Sequence, residues 1–124
     1  MGKKIILVIE DDRFLSRIYF TKLTKEGFEV VLATEGEEAM RRLQEKMPDL
    51  ILLDLVLPIK SGFEILEEIK QSSRFAKIPV VIFSNLGQQE DMDRGKRLGA
   101  ADYFVKANMN IQDVVDKIKK YLAK

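Results

Sequence analysis

The sequence predicts an α/β fold: one doubly wound, five-stranded parallel sheet. Three observations carry this prediction. Five short apolar runs alternate with longer amphipathic stretches, the pattern of repeated strand–helix units. One run, Leu50-Ile51-Leu52-Leu53, has no polar break, as expected of a strand covered on both faces. Most runs also end in polar residues: Glu10-Asp11-Asp12, Asp54, Ser84-Asn85 and Lys106. In a parallel sheet those ends share one edge, so residues far apart in sequence converge there.

Ile5 to Ile9 is the first strand and stops at Glu10. Phe14, Leu15, Ile18, Tyr19 and Leu23 recur at helical spacing between Arg13 and Lys25, and Gly27 ends that helix. Phe28 to Ala33 is the second strand. Thr34 and Glu37 predict a capping box for a helix whose inward face is Ala39, Met40 and Leu43 and which Pro48 closes off. The third strand runs to Asp54, and Pro58 and Gly62 bound the loop beyond it. Ser61 with Glu64 predicts a second capping box, before a helix with Phe63, Ile65, Leu66 and Ile69 inward. Pro79 precedes the fourth strand, Val80 to Phe83. A more polar helix from about Gln88 to Leu98 is capped by Gly99. Asp102 to Val105 is the fifth strand, and Asn110 opens a last helix with Ile111, Val114, Val115, Ile118 and Leu122 inward. No linker or low-complexity segment interrupts the 124 residues, so a single domain over 1–124 is expected.

Composition narrows the chemistry. Lys and Arg number 21 against 20 Asp and Glu, a net charge of +1, and no basic stripe is interleaved with aromatics. Direct nucleic-acid binding is therefore not expected. The lysines crowded into the last eight residues suit the carboxyl end of a helix. The chain has no Cys, which excludes disulfides and thiolate metal sites, and no His, which removes the usual general base. Ile5 to Ile9 is far too short to cross a membrane and no signal peptide is visible, so a cytoplasmic location without a membrane partner is expected.

Taken singly, each strand-end residue has a plain explanation. A Glu-Asp-Asp turn is ordinarily a solvated loop, a lone Asp a turn cap, a lone Lys a surface charge. Four such coincidences at one sheet edge are hard to obtain from those explanations together. Close carboxylates repel one another, and a divalent cation holds them ionised. With only oxygen donors available, a hard ion such as Mg²⁺ fits. A Lys and a hydroxyl beside a metal-bound Asp suit a phosphoryl group, whose oxygens they would neutralise and hydrogen-bond. A carboxylate can itself attack phosphorus to form an acyl phosphate, with catalysis mostly positioning and charge neutralisation.

With these residues assembled, the chain resembles the receiver domain of response regulators in two-component signalling, over essentially its whole length. Glu10-Asp11 match the family's acidic pair, leaving Asp12 as a helix cap. Asp54, followed by Pro58 and Gly62, matches the phosphoacceptor and its loop. Ser84 matches the hydroxyl ending strand four, Lys106 the lysine ending strand five, and Tyr103 the aromatic three residues before it. The resemblance implies a flavodoxin-like (βα)5 sheet in the order 2-1-3-4-5, an order carried over from the family and not read from periodicity.

It also implies a switch. A histidine kinase or phosphotransfer protein would pass a phosphoryl group from phosphohistidine to Asp54. Mg²⁺ would bind Asp11, Asp54 and the backbone carbonyl of Val56, with Glu10 acting through water and Lys106 assisting. Ser84 would move toward the phosphoryl oxygens, Tyr103 would follow inward, and the face of helix four, strand five and helix five would change to control a downstream protein. Such a domain is a self-phosphorylating acceptor and not an ordinary enzyme, and works as a monomer or transient homodimer. A DNA-binding role would need a further domain.

Three departures from the family pattern carry expectations of their own. Ala107 stands where the family usually has a cis proline; a cis bond before Ala would cost about 2.5–4 kcal/mol, which favours trans with a shifted loop. Val56 and Leu86, two places beyond Asp54 and Ser84, are apolar where polar residues often position the hydrolytic water, so loss of the phosphoryl group should be slow. Asn85 is bulkier than the small residue often found there and is expected to obstruct the inward swing of Tyr103.

Other functions fit less well. A phosphatase of the dehalogenase type needs an acid at Val56, and a flavodoxin-like cofactor binder would be repelled by Glu10-Asp11-Asp12. The serious alternative is a phosphorylation-independent pseudo-receiver acting as an interaction module, which retention of every charged site residue opposes.

Overall fold

The computed structural model describes residues 2–123. Strands β1 (Ile5–Ile9), β2 (Glu29–Ala33), β3 (Leu50–Leu53), β4 (Val80–Ser84) and β5 (Asp102–Val105) alternate with helices α1 (Arg13–Lys25), α2 (Gly36–Glu45), α3 (Gly62–Gln71), α4 (Gln89–Arg97) and α5 (Ile111–Leu122). All pairings are parallel, in the order β2-β1-β3-β4-β5. This is the doubly wound, flavodoxin-like sheet that the sequence and the resemblance predicted.

Side chains alternate across a strand, so a strand with helices on both sides feeds two cores. Leu7, Ile9, Ile51, Leu53 and Ile82 pack with Leu43, Leu66 and Ile69 of α2 and α3. Ile6, Val8, Leu50, Leu52, Val81 and Phe83 pack with Tyr19, Leu23, Val114, Val115 and Ile118 of α1 and α5. Full burial of each such aliphatic contributes roughly 1.5–3 kcal/mol, which is why β3 tolerates no polar residue before its end.

The strand ends align. Ile9 pairs with Ala33 and Leu53, Leu53 with Ile82, and Ser84 with Val105. The first residues beyond β1, β3 and β5 are therefore Glu10, Asp54 and Lys106 on one edge. Helices start there under side-chain caps: Asp12 accepts from the Phe14 and Leu15 amides, and Asn110 and Asp113 form a reciprocal capping box. Gly27 and Gly99 stop α1 and α4 in the left-handed region, with φ of 97° and 102°.

Some local expectations are corrected. The box at α2 lies one residue later than Thr34–Glu37. Glu35 accepts from the Glu38 amide at 3.0 Å, while the Glu38 carboxylate returns to the Thr34 amide at 2.7 Å and to its hydroxyl. The helix opens at Gly36, where a Cβ would meet the Ile65 side chain at 3.1 Å. At α3 the Ser61 hydroxyl accepts from the Glu64 amide at 3.3 Å, the outward half of the predicted box. Phe14 is 75% exposed and not inward, because the buried face of α1 is Ser16, Tyr19 and Leu23 and Phe14 lies off it. Peptide bonds among the described residues are trans, Lys106–Ala107 included, and the chain leaves β5 through a 3₁₀ turn, Lys106–Asn108. Among the described residues no helix is long and apolar enough to cross a membrane.

Candidate functional site

The register brings one carboxylate oxygen each from Glu10, Asp11 and Asp54 to within 4.8 Å of one another. Asp11 is exposed, whereas Glu10 is 3% and Asp54 7% exposed. Lys106 reaches across from β5, and its ammonium donates to Glu10 Oε1 at 2.6 Å and to Asp54 Oδ2 at 3.1 Å. Three carboxylates and one ammonium leave a formal charge of −2.

Burial dominates the titration of Glu10 and pushes its carboxyl up to about 7, against the downward pull of the Lys106 hydrogen bond. For Lys106, burial acts to lower the ammonium, but hydrogen bonds and charge from Glu10 and Asp54 together outweigh it and hold the group above its ordinary value. The pair is thus mutually dependent: each buried charge is tolerated because the other is there.

The surrounding backbone fixes these groups. The Asp12 amide donates to Glu10 Oε2 at 3.3 Å, and the Ser16 hydroxyl donates to the Glu10 carbonyl at 3.1 Å. The Val56 amide donates to Asp54 Oδ1 at 3.3 Å. The loop after Asp54 folds so tightly that a Cβ at Gly62 would lie 2.6 Å from the Leu55 Cα and collide with the Asp54 carbonyl. Only glycine fits there, and its amide donates to the Leu55 carbonyl at 2.9 Å.

Ser84 is wholly buried, and its hydroxyl accepts from the Leu86 amide at 3.4 Å. Tyr103 is also buried, and its hydroxyl donates to the Leu86 carbonyl. Asn85 does not obstruct this arrangement. It is exposed and lines a groove with Lys106, Ala107 and Met109, while Tyr103 packs into the core cluster that contains Ile82.

The site thus unites Glu10, Asp11, Asp54 and Lys106, with Ser84 and Tyr103 joined to each other through Leu86. Sequence reasoning missed Ser16, whose place beneath Glu10 could have been found from its position on the inward side of α1. It also missed Tyr19, whose ring meets Phe83 edge-on at 5.8 Å and whose buried hydroxyl has no hydrogen-bond partner among the described residues. Burial first, and then Glu10, Asp54 and Asp12, push that phenol above its usual range. For a cation, the donors are three carboxylates, all oxygen and anionic, and with Lys106 the site carries a formal charge of −2, which suits a hard divalent ion.

A family model for the response regulator receiver domain matches residues 6–119. The chain belongs to that family. This receiver is 40% identical over 101 residues to the phosphate regulon transcriptional regulatory protein PhoB of Rhizobium meliloti, covering 82% of this chain and 44% of that protein. It is 38% identical over 114 residues to PhoB of Escherichia coli, covering 92% and 49%. The chain therefore spans less than half the length of these curated relatives. Among solved structures it resembles the Mn²⁺-bound form of response regulator Rcp1, with a TM-score of 0.81 and 32% identity over 94% of this chain and 90% of that one. It also resembles a CheY-like receiver domain protein from Methanospirillum hungatei, with a TM-score of 0.90 and 26% identity over 98% and 95%. Receiver domains bind Mg²⁺ at an acidic pocket, take phosphoryl groups from histidine kinases and act on downstream partners. They are signalling switches and not ordinary enzymes.

Proposed function

We propose that this receiver is a phosphorylation-dependent switch in which Asp54 accepts a phosphoryl group from the phosphohistidine of a kinase or phosphotransfer protein. The observation that carries the reading is Asp54 itself: a nearly buried carboxylate at a strand end, bound on one oxygen by Lys106 and set beside Glu10 and Asp11. Asp11, Asp54 and the Val56 carbonyl would hold Mg²⁺, with Glu10 acting through water, and the bound ion supplies charge neutralisation for the phosphoryl oxygens.

The residues divide the remaining work. Oδ2 of Asp54 is engaged by Lys106, whereas Oδ1 holds only a 3.3 Å bond from the Val56 amide, so Oδ1 has the freer lone pair to attack phosphorus. The P–N bond to the donor imidazole breaks and its electron pair returns to the ring nitrogen. Lys106 keeps a positive charge beside the reacting oxygens. The Ser84 hydroxyl accepts from Leu86, so its own proton is free to be donated to a phosphoryl oxygen. Any shift of Ser84 reaches Tyr103 through Leu86, and so reaches the face of α4, β5 and α5. A downstream protein reads the switch to the extent that it binds the two states of that face differently. The reading puts the protein in the cytoplasm, as a monomer or transient homodimer.

The test is intact-protein mass spectrometry after incubation with Mg²⁺ and a small-molecule phosphodonor. One added phosphoryl group in the parent and none in Asp54→Ala is the expected result. A folded, Mg²⁺-binding parent that gains no adduct from the small donor or from a purified histidine kinase would overturn the reading.

A further inference from the structure

Helix α4 is anchored unlike its neighbours. It is nine residues long, and its one buried residue is Gly95. Its remaining attachments are partial: Met92 and Leu98 are half-buried against the core, and the Arg94 guanidinium lies 4.2 Å from the Phe63 ring centroid. Gln88 supplies no side-chain cap at its start. A helix this short does not hold itself together in water and depends on the surface it docks against.

At Gly95 that surface is the Tyr103 ring together with Ile82. A Cβ built on Gly95 would lie 3.1 Å from Tyr103 Cδ2 and 2.9 Å from Ile82 Cδ1. At Gly95 the helix backbone therefore closes on the edge of the Tyr103 ring, with the tip of the Ile82 side chain beside it. The same side chain reaches the segment leading into α4, where its hydroxyl donates to the Leu86 carbonyl. Leu86 is in turn tied to Ser84 through its amide.

We propose that Gly95 is the positioning residue of the switch: its missing side chain makes the seat in which the Tyr103 ring lies, and through that ring α4 docks on the sheet. The proposal rests on the phosphoacceptor reading for the signal that works the seat. The ring in its seat holds α4 down and fixes Leu86, and displacement of the ring releases both together. Gly95 touches no group of the acidic site, so the seat governs what the switch displays and leaves the capture of phosphate alone.

Gly95→Ala separates this role from a merely structural one. Alanine improves the helix propensity of α4, so a glycine without a positional role would give a tighter helix when replaced. If the seat matters, the added methyl displaces the ring, and amide exchange across Gln89–Arg97 accelerates about tenfold or more while β1 and β3 amides are unaffected. Adduct formation at Asp54 from a small phosphodonor should persist. Unchanged or slower exchange in α4 would overturn the proposal. If Gly95→Ala unfolds globally, two double variants decide: recovery of the fold in Gly95→Ala/Tyr103→Ala supports the seat, because the ring is then what the methyl displaced, whereas recovery only in Gly95→Ala/Ile82→Val, or in neither, overturns it. A parent that takes no phosphoryl group would sink the phosphoacceptor reading and leave the exchange result standing.

Discussion

The Lys106 ammonium lies 2.6 Å from Glu10 Oε1, joining residues 96 apart in sequence inside the sheet edge. Glu10 is 3% exposed, so this contact compensates a charge that water does not reach. Removing one member of a buried pair strands the other, which typically costs about 3–5 kcal/mol. Lys106→Ala should therefore lower unfolding free energy by about 3 kcal/mol at pH 8 in chelator. The loss should shrink at pH 6, because Glu10, whose carboxyl is already raised to about 7, can take up a proton. Urea denaturation at both pH values checks this, and an equal loss at both would contradict it.

Added Mg²⁺ should act in the opposite direction. A formal charge of −2 spread over Glu10, Asp11, Asp54 and Lys106 favours a divalent ion in the folded state, where alone these groups meet. Ligand present at about 100 times its dissociation constant stabilises by about 2.7 kcal/mol. The melting temperature should rise with Mg²⁺ in the parent and stay flat in Asp11→Ala, which removes the exposed carboxylate without disturbing the buried pair. A matching rise in the variant would place the ion elsewhere.

How much of this was readable in advance follows from which forces were local. Five strands, five helices and the polar strand ends could be read because burial periodicity and end residues are properties of short segments. The Glu10–Lys106 pairing could not: it needs the register of β1, β3, β4 and β5, so sequence placed both residues at one edge without showing that they touch. The 72–79 loop escaped for a related reason. Phe75 and Ile78 enter the core from non-periodic chain, held by Lys70, which donates to the Ala76 and Ile78 carbonyls at 2.9 Å each. Asn85 was misjudged from side-chain size alone; the direction the chain takes after Ser84 leaves it in solvent.

Val56 is exposed beside Asp54 and offers no polar atom from its side chain to an approaching water. Hydrolysis of the acyl phosphate should accordingly be slow. Val56→Asn adds an amide able to orient that water, and a positioned polar group of this kind should raise the decay rate at least about tenfold. Loss of the adduct mass with time gives both rates, and equal rates would contradict the idea.

Ile59 carries backbone strain in the loop between β3 and α3. Its φ is 70°, it is 93% exposed, and the Lys60 amide closes a γ-turn over it by donating to the Pro58 carbonyl at 2.7 Å. A β-branched residue in the left-handed region costs roughly 1–2 kcal/mol, and the exposed side chain offers little packing in return. Ile59→Gly should therefore raise stability by about 1 kcal/mol and leave phosphorylation by a small donor intact. A drop in stability would show that the loop relaxes into another conformation in solution.

Tyr121 supplies a test at high pH. Its hydroxyl donates to Asp102 at 2.7 Å and to the Ala101 carbonyl at 3.1 Å, closing α5 onto the start of β5. Burial first, then the bond to Asp102 and its charge, push the phenol up to about 12, above the value of about 10 expected in the unfolded chain. The folded state thus holds this proton more tightly than the unfolded state. The resulting stabilisation is complete below about pH 10 and disappears as pH rises through 12. Tyr103, also raised to about 12, adds to the same decline. Tyr121→Phe should be less stable than the parent at pH 9, with a narrower gap at pH 11, where the unfolded chain has largely lost the proton that the folded state still holds. Urea midpoints for both proteins at the two pH values would show it, and a constant gap would mean that the Asp102 bond does not set the titration.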